Sequence, residues 1–292
     1  MIGKRRQRKL AGGQTRLQPS GRTRIVRPDL HPVAFTLGGL EVHWYGILMA
    51  AGFLAGMKIA SRCALNAGLN PDHIANLMIW LLIGGILGSR VWYVATFWKT
   101  EFAGQPLSKI FLQRAGFVFH GGLIGAAIVI ALFLRINKLP MWKTADTLAP
   151  GIALGHAFGR VGCLMTGCCY GAPTASPIGI LFTDPRSPAT DHCSRVGPVH
   201  PVQIYEAAVN FALSATLFWL FGKRKFDGQI FSIYLIAYGC FRFLIEHFRG
   251  DGAAKAASAL TSAQLISVIL IAVGGVILFS NWTKAKATPK QP

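Results

Sequence analysis

The residues of this chain best able to do chemistry are arginines, histidines, glutamates and tyrosines set in otherwise apolar sequence. YGCFRFLIEHFRGDG (238–252) places Arg242, Glu246 and Arg249 at i, i+4 and i+7, one face of a continuous helix. Two guanidinium groups against one carboxylate leave a surplus positive charge, and the planar fork of arginine suits phosphate through paired hydrogen bonds. An internal salt bridge beside a snorkelling terminal arginine would give the same spacing. GHAFGRVGCLMTGCCYG (155–171) sets Arg160 between Gly159 and Gly162, with Gly167 and Gly171 beyond. Such glycines let backbone approach a ligand or let helices pack closely. An arginine buried at a helix end needs an anionic partner, and at a membrane surface that partner is a phospholipid headgroup. FHGGLIG (119–125) opens an apolar run with His120, whose proton affinity near neutrality suits base chemistry toward a thiol or hydroxyl, although a lone histidine there also serves structure. HPVQIYEA (200–207) adds His200, Gln203, Tyr205 and Glu206, which can cap a helix or hold an arginine in place.

The elements that position these groups follow from composition. The 292 residues are 52% hydrophobic and only 14% charged, with a mean hydropathy of +0.43, so apolar surface must be hidden in lipid. Apolar runs long enough to cross a hydrocarbon core roughly 30 Å thick fall near 43–60, 73–98, 117–135, 203–222, 228–248 and 262–282. A weaker seventh near 145–162 carries Asp146, Pro150, His156 and Arg160, and by hydropathy alone reads equally as a re-entrant segment. The expectation is an all-α membrane protein of about seven transmembrane helices, with a long Gly- and Pro-rich loop (163–201) between helices four and five. A loop of that length is usually a lid or binding element. The domain plan is a basic disordered tail over 1–30, one transmembrane domain over 31–282 and a basic C-terminal tail over 283–292.

If seven helices alternate in direction, Tyr45, Arg90, His120, Arg160, the Gln203–Tyr205–Glu206 group and the Arg242–Glu246–Arg249 group all fall at one face. Ionisable groups in hydrocarbon cost several kcal/mol each, so six segments converging at one level point to a site. Positive-inside counting places Lys58, Arg62, Arg135, Lys138, Lys143, Lys223, Arg224, Lys225, Lys284, Lys286 and Lys290 on the opposite face, which turns the polar cluster outward. The basic amino-terminal segment stands against that rule.

A formal charge of +19 invites a nucleic-acid reading, but nine of the thirty basic residues lie in the first 27 and most others flank helix ends. That is a membrane-surface pattern, and no nucleic-acid partner is expected. The basic start is followed by neither an apolar core nor a small-residue cleavage site before the first span, so it does not read as a signal peptide. Cys163, Cys168 and Cys169 do not match a zinc spacing, and no metal is expected. The absence of an internal repeat argues against an inverted-repeat transporter.

Five motifs carry a resemblance to a known family: VHWYG at 42–46, FHGGLIG at 119–125, G-R-x-G at 159–162 running on to Gly171, HPVQIYEA at 200–207 and YGCFRFLIEHFR at 238–249. Together they span about 31 to 282, and in this order the chain resembles the bacterial phosphatidylglycerol–prolipoprotein diacylglyceryl transferases. The resemblance implies a seven-helix enzyme of the bacterial inner membrane, its site toward the outer, periplasmic face. Such an enzyme moves the diacylglyceryl group of phosphatidylglycerol to the lipobox cysteine of a preprolipoprotein signal peptide, forming a thioether and releasing glycerol phosphate, with no cofactor. By the same resemblance Arg160 and Arg242 hold the phosphate, His120 and Tyr45 serve activity, and Glu206 and Glu246 orient the arginines. Gly162, Gly171, Gln203, Tyr205 and Arg249 complete the implied substrate-binding set. The chain departs from the family where Cys163, Thr166 and Cys168 replace the usual asparagines and glutamate. A thiol cannot supply an amide's hydrogen bonds, which keeps open a non-catalytic or altered-acceptor phospholipid-binding paralogue, with an anion transporter as the alternative from another class. Pairing of these cysteines, for example with Cys193, also stays open.

Overall fold

Backbone in hydrocarbon must satisfy its own N–H and C=O groups, which an α-helix does within one segment. In the computed structural model, which describes residues 26–106, 108, 116, 118–249 and 260–287, a hairpin of β1 (Val33–Leu37) and β2 (Leu40–His43) leads into α1 (Trp44–Asn66), α2 (Pro71–Thr96), α3 (Phe119–Ile136) and α4 (Met141–Thr166). A short α5 (Thr190–Val196) precedes α6 (Val202–Phe221), α7 (Gln229–Ile245) and α8 (Ser262–Ala287). Six helices among the described residues are long and apolar enough to cross a membrane, and α3 is a shorter apolar helix. The fold is the all-α multi-pass class expected from hydropathy. The weak run at 145–162 proves to be a 26-residue helix, α4. Its polar residues lower the hydropathy of the run without interrupting it: Pro150 lies inside the helix, and its carbonyl accepts a hydrogen bond from Ser214 Oγ at 2.8 Å.

The described residues group into two compact units. The first takes in residues up to Met49, Phe158–Ala208 and Arg242–Leu265, and the second Ala50–Ala157, Val209–Phe241 and Ile266 onward. In the second unit Cys63, Ala149, Ala153, Leu217, Phe221 and Ile230 form one buried cluster, and Ala60, Ala64, Ile74, Leu77 and Leu148 another. Ala60, Cys63, Ala64, Ala149 and Ala153 are wholly buried among them, since small side chains give helices in lipid cohesion through close backbone packing. At Gly88 of α2 a Cβ would stand 2.9 Å from the Cα of Gly125 in α3, so the two backbones meet directly.

The first unit holds the hairpin and the 167–201 segment. β1 and β2 pair antiparallel through Phe35–Val42, Thr36–Glu41 and Leu37–Leu40, turning at Gly38 and Gly39, both at positive φ. The segment after α4 is more ordered than a loop. Ile180, Phe182, Ala189, Cys193 and Val199 bury one another, and backbone bridges join Ile180 to Val199 and Pro173 to Val199. Val26 pairs with Ile180, while the tail up to residue 25 lies outside the described residues. At the other end α8 runs on to Ala287, with 288–292 outside the description.

Asp146 shows how α4 fixes its neighbours in the second unit. It is fully buried and accepts hydrogen bonds from the backbone N–H groups of Gly228 and Phe231, both at 2.8 Å. These are donors that the start of α7 cannot satisfy internally, and a carboxylate at a helix N-terminus also meets the favourable end of its dipole. Replacing Asp146 by Ala strands one buried and one partly buried donor and is expected to cost about 2–3 kcal/mol. Thermal unfolding of the purified protein in detergent reads this, and an unshifted transition would show that the cap is dispensable.

Candidate active site

Three helix ends build the site within the first unit. Arg160 lies in the last two turns of α4. Gln203, Tyr205 and Glu206 occupy the start of α6. Arg242 closes α7, after which Glu246–Phe248 form a 3-10 turn and Arg249 is extended at φ −78, ψ 141. The continuous helical stripe expected for Arg242, Glu246 and Arg249 therefore ends one turn early. The reason is backbone pairing: Arg249 bridges Gly171, Ala172 N–H donates to the Phe248 carbonyl at 2.8 Å and Gly171 N–H to the His200 carbonyl at 2.9 Å. A Cβ at Gly171 would meet His200 Cβ at 2.6 Å and the Phe248 carbonyl oxygen at 2.7 Å, so only glycine lets the post-α4 segment tie the start of α6 to the end of α7.

The charged side chains form one alternating line. Arg160 Nε lies 2.7 Å from Glu206 Oε2, and Glu206 Oε1 lies 3.5 Å from Arg249 Nη1. Arg249 Nε reaches Glu246 Oε2 at 3.9 Å, and that same oxygen accepts a hydrogen bond from Arg242 Nη1 at 2.7 Å. Glu206 is 1% exposed, and the other four side chains are at most 16% exposed. Burying charges costs several kcal/mol per ion, and even good pairing often only offsets it, so stability does not explain the arrangement. Three guanidinium groups against two carboxylates carry one net positive charge, which a singly charged anion such as a phosphodiester would balance.

Beside this line sit three thiols. The Sγ atoms of Cys163, Cys168 and Cys169 all lie within 4.8 Å of one another, and all six cysteines of the chain are free. Cys193 in particular is packed into the apolar cluster around Phe182. Thiol hydrogen bonds from Cys163 and Cys168, helped by the charges of Arg160 and Arg249, hold the Cys169 thiol well below its ordinary value. Gln203 is fully buried and its Nε2 donates to the Cys168 carbonyl at 2.8 Å. Tyr45, the second residue of α1, lies within electrostatic reach of Arg160 and of all three thiols. A Cβ on Gly162 would stand 3.0 Å from the Tyr45 ring. His200 Nδ1 and the Tyr205 hydroxyl are 3.4 Å apart, and both rings meet Phe248 edge-on.

Of the residues singled out by motif, Tyr45, Arg160, Gly162, Gly171, Gln203, Tyr205, Glu206, Arg242, Glu246 and Arg249 come together in the first unit. Arg90 and His120 belong to the second. His120 is the second residue of α3 and its side chain is exposed. Arg90 donates to the Gly116 carbonyl at 3.1 Å and lies over the rings of Tyr93 and Phe102. The convergence of the three thiols and the seating of His200 on Phe248 were not read from the sequence. The signal available was Gly167 between the cysteines, a residue that lets the chain turn back at positive φ.

These features define a multi-pass membrane protein with a line of ion pairs and three thiols at the ends of its helices. The family model described as prolipoprotein diacylglyceryl transferase matches residues 32–280, and the chain belongs to that family. It is similar to the phosphatidylglycerol–prolipoprotein diacylglyceryl transferase of Clostridium tetani, with 37% identity over 84% of this chain and 95% of that protein. It is also similar to the second such enzyme of Clostridium perfringens, at 37% over 83% and 91%, and to that of Solidesulfovibrio magneticus, at 32% over 91% and 98%.

The ion line makes Glu206 the residue whose loss is felt most. Glu206→Ala leaves Arg160 and Arg249 buried without their shared carboxylate, and is expected to cost about 3–5 kcal/mol. Glu246→Ala, at a more exposed position, should cost less. Thermal unfolding of the two variants in detergent checks the order, and equal effects would show that Glu206 is not the centre of the line.

Proposed function

We propose that this chain transfers the diacylglyceryl group of phosphatidylglycerol to the lipobox cysteine of a preprolipoprotein signal peptide, in the bacterial inner membrane with its site toward the periplasmic face. The observation that carries the reading is the alternating line of three arginines and two glutamates, nearly buried at the ends of three helices. In the reaction the acceptor sulfur loses its proton and forms a bond to the terminal glycerol carbon. The bond from that carbon to the phosphate oxygen breaks, and glycerol phosphate leaves with the electron pair. Charge grows on the departing phosphate, so donors fixed in advance around it lower the barrier most. Arg160 and Arg242 are assigned to that role, Glu206 and Glu246 to holding their guanidinium groups in place. Tyr45, within electrostatic reach of Arg160, is assigned to the acceptor or the headgroup. His120 enters as a base through its motif alone.

The transporter alternative requires charged groups near the bilayer midplane. Here Glu206 is in the first turns of α6, and Arg242 and Glu246 are at the end of α7, which favours chemistry at a membrane surface. The test is a transfer assay with purified protein, phosphatidylglycerol vesicles and a lipobox peptide, read as thioether-lipidated peptide and glycerol phosphate. Arg160→Ala and Arg242→Ala are each expected to reduce turnover about a hundredfold or more while still inserting into the membrane. No product from the unaltered protein, or full activity in both variants, would overturn the assignment.

A further inference from the structure

The thiol cluster is the part of the first unit that this reading leaves unused. Cys163 ends up near Cys168 and Cys169 because the chain reverses directly after α4, with Gly167 at φ +74 and Cys169 at φ +56. Cys168 Sγ lies 3.8 Å from the Cys163 carbonyl. Three thiolates on a tetrahedral zinc ion at Zn–S about 2.3 Å stand about 3.8 Å apart, so sulfurs already within 4.8 Å of one another need close by only about 1 Å. We propose that Cys163, Cys168 and Cys169 hold a Zn2+ ion as three thiolates, and that its fourth position takes the thiol of the acceptor cysteine.

Charge and hydrogen bonding support this ion. Zn2+ with three thiolates carries one net negative charge, and Arg160 and Arg249 are close enough to act on Cys169. Gln203 fixes the Cys168 carbonyl at 2.8 Å. Its Oε1 is buried with no hydrogen-bond partner among the described residues, and buried acceptors are as a rule satisfied. An N–H of the incoming peptide or a water at the ion would complete it. Cys168 and Cys169 are partly exposed, which leaves the ion open to a fourth ligand. Three protein ligands with one open position is the pattern of catalytic rather than structural zinc.

The role of the fourth ligand rests on the transferase reading. The thiolate, not the thiol, is the nucleophile, and a coordinating thiol is deprotonated outright. The acceptor S–H would release its proton to solvent on binding Zn2+. The bound sulfur then forms the S–C bond to glycerol, the C–O bond to phosphate breaks, and the electron pair leaves with glycerol phosphate. The product thioether is neutral, binds zinc weakly and departs, with Zn2+ unchanged in charge throughout. A cysteine trio thus offers by metal activation what the amide and carboxylate side chains usual at these positions cannot.

Full-length protein purified in detergent is expected to hold one zinc ion per chain by elemental analysis. Its Co2+-substituted form should show a tetrahedral thiolate spectrum that changes on adding a lipobox-cysteine peptide but not its serine analogue. Chelation should cost about tenfold or more in transfer, regained with one equivalent of Zn2+. Cys163→Ser and Cys169→Ser should lose the ion, whereas Arg160→Ala should lose transfer and keep it. If the cysteine variants do not fold, chelation and Co2+ spectra on the unaltered chain carry the test. Full transfer in zinc-free protein, higher activity in Cys163→Asn, or Cu+ bound in place of Zn2+ would overturn the proposal and leave the transferase reading standing. Zinc at these thiols in a protein that makes no thioether lipid would overturn the acceptor role together with that reading.

Discussion

The alternating line Arg160–Glu206–Arg249–Glu246–Arg242 is the constraint around which the first unit is built. Five charges that are almost out of water must each find an opposite partner, and the carboxylate that links two of the arginines, Glu206, is itself 1% exposed. No single helix could supply this. The arginines come from the end of α4, the end of α7 and the extended residue beyond it, while the glutamates come from the start of α6 and the 3-10 turn. Each residue is useful only if four backbone segments stop at the right place. A line of this kind is a poor way to stabilise a fold. Its use as a rigid receptor for an anion is the role proposed above.

Backbone rather than side chains holds those segments in register. Gly171 donates to the His200 carbonyl, and Ala172 donates to the Phe248 carbonyl and accepts from His200 N–H, which fixes the exit of α7 against the entry of α6. The aromatic contact of His200 and Tyr205 with Phe248 packs over the same junction. The 3-10 turn is a consequence: were α7 to continue, Arg249 would carry on around the helix and lose both its bridge to Gly171 and its approach to Glu206.

Much of this was legible in the sequence. The spans could be read because hydropathy reports burial in lipid directly, and the charged residues could be placed at one level because helix direction must alternate. The weak point was α4, whose Asp146, His156 and Arg160 depress its hydropathy. Their partners, the backbone at Gly228 and Phe231, the Tyr238 ring and Glu206, are all more than 40 residues away. The end of α7 was misjudged for the same reason, since a helical spacing persists in sequence after the hydrogen bonds have switched. The order of the 167–201 segment was also hidden. Its glycines and prolines announce turns, while the cluster of Phe182, Cys193 and Val199 depends on contacts that no local pattern encodes. The hairpin before α1 carried a signal in its Gly38–Gly39 turn between β-prone residues.

The cysteines invert the usual relation between motif and geometry. As a spacing, C-x4-C-C argues against a metal site, because ligands five and six residues apart on a helix point in unrelated directions. The chain leaves the helix between them, and two residues at positive φ return the second and third thiols to the first. A departure from the family pattern that looks like loss of function in sequence is, in space, a group of three soft ligands beside a surplus positive charge. Amide and carboxylate side chains at these positions can only hydrogen-bond a thiol and wait for a base. In the proposed site thiolates bind the ion that makes the thiol a nucleophile, and the phosphate is left to the arginines assigned to it above.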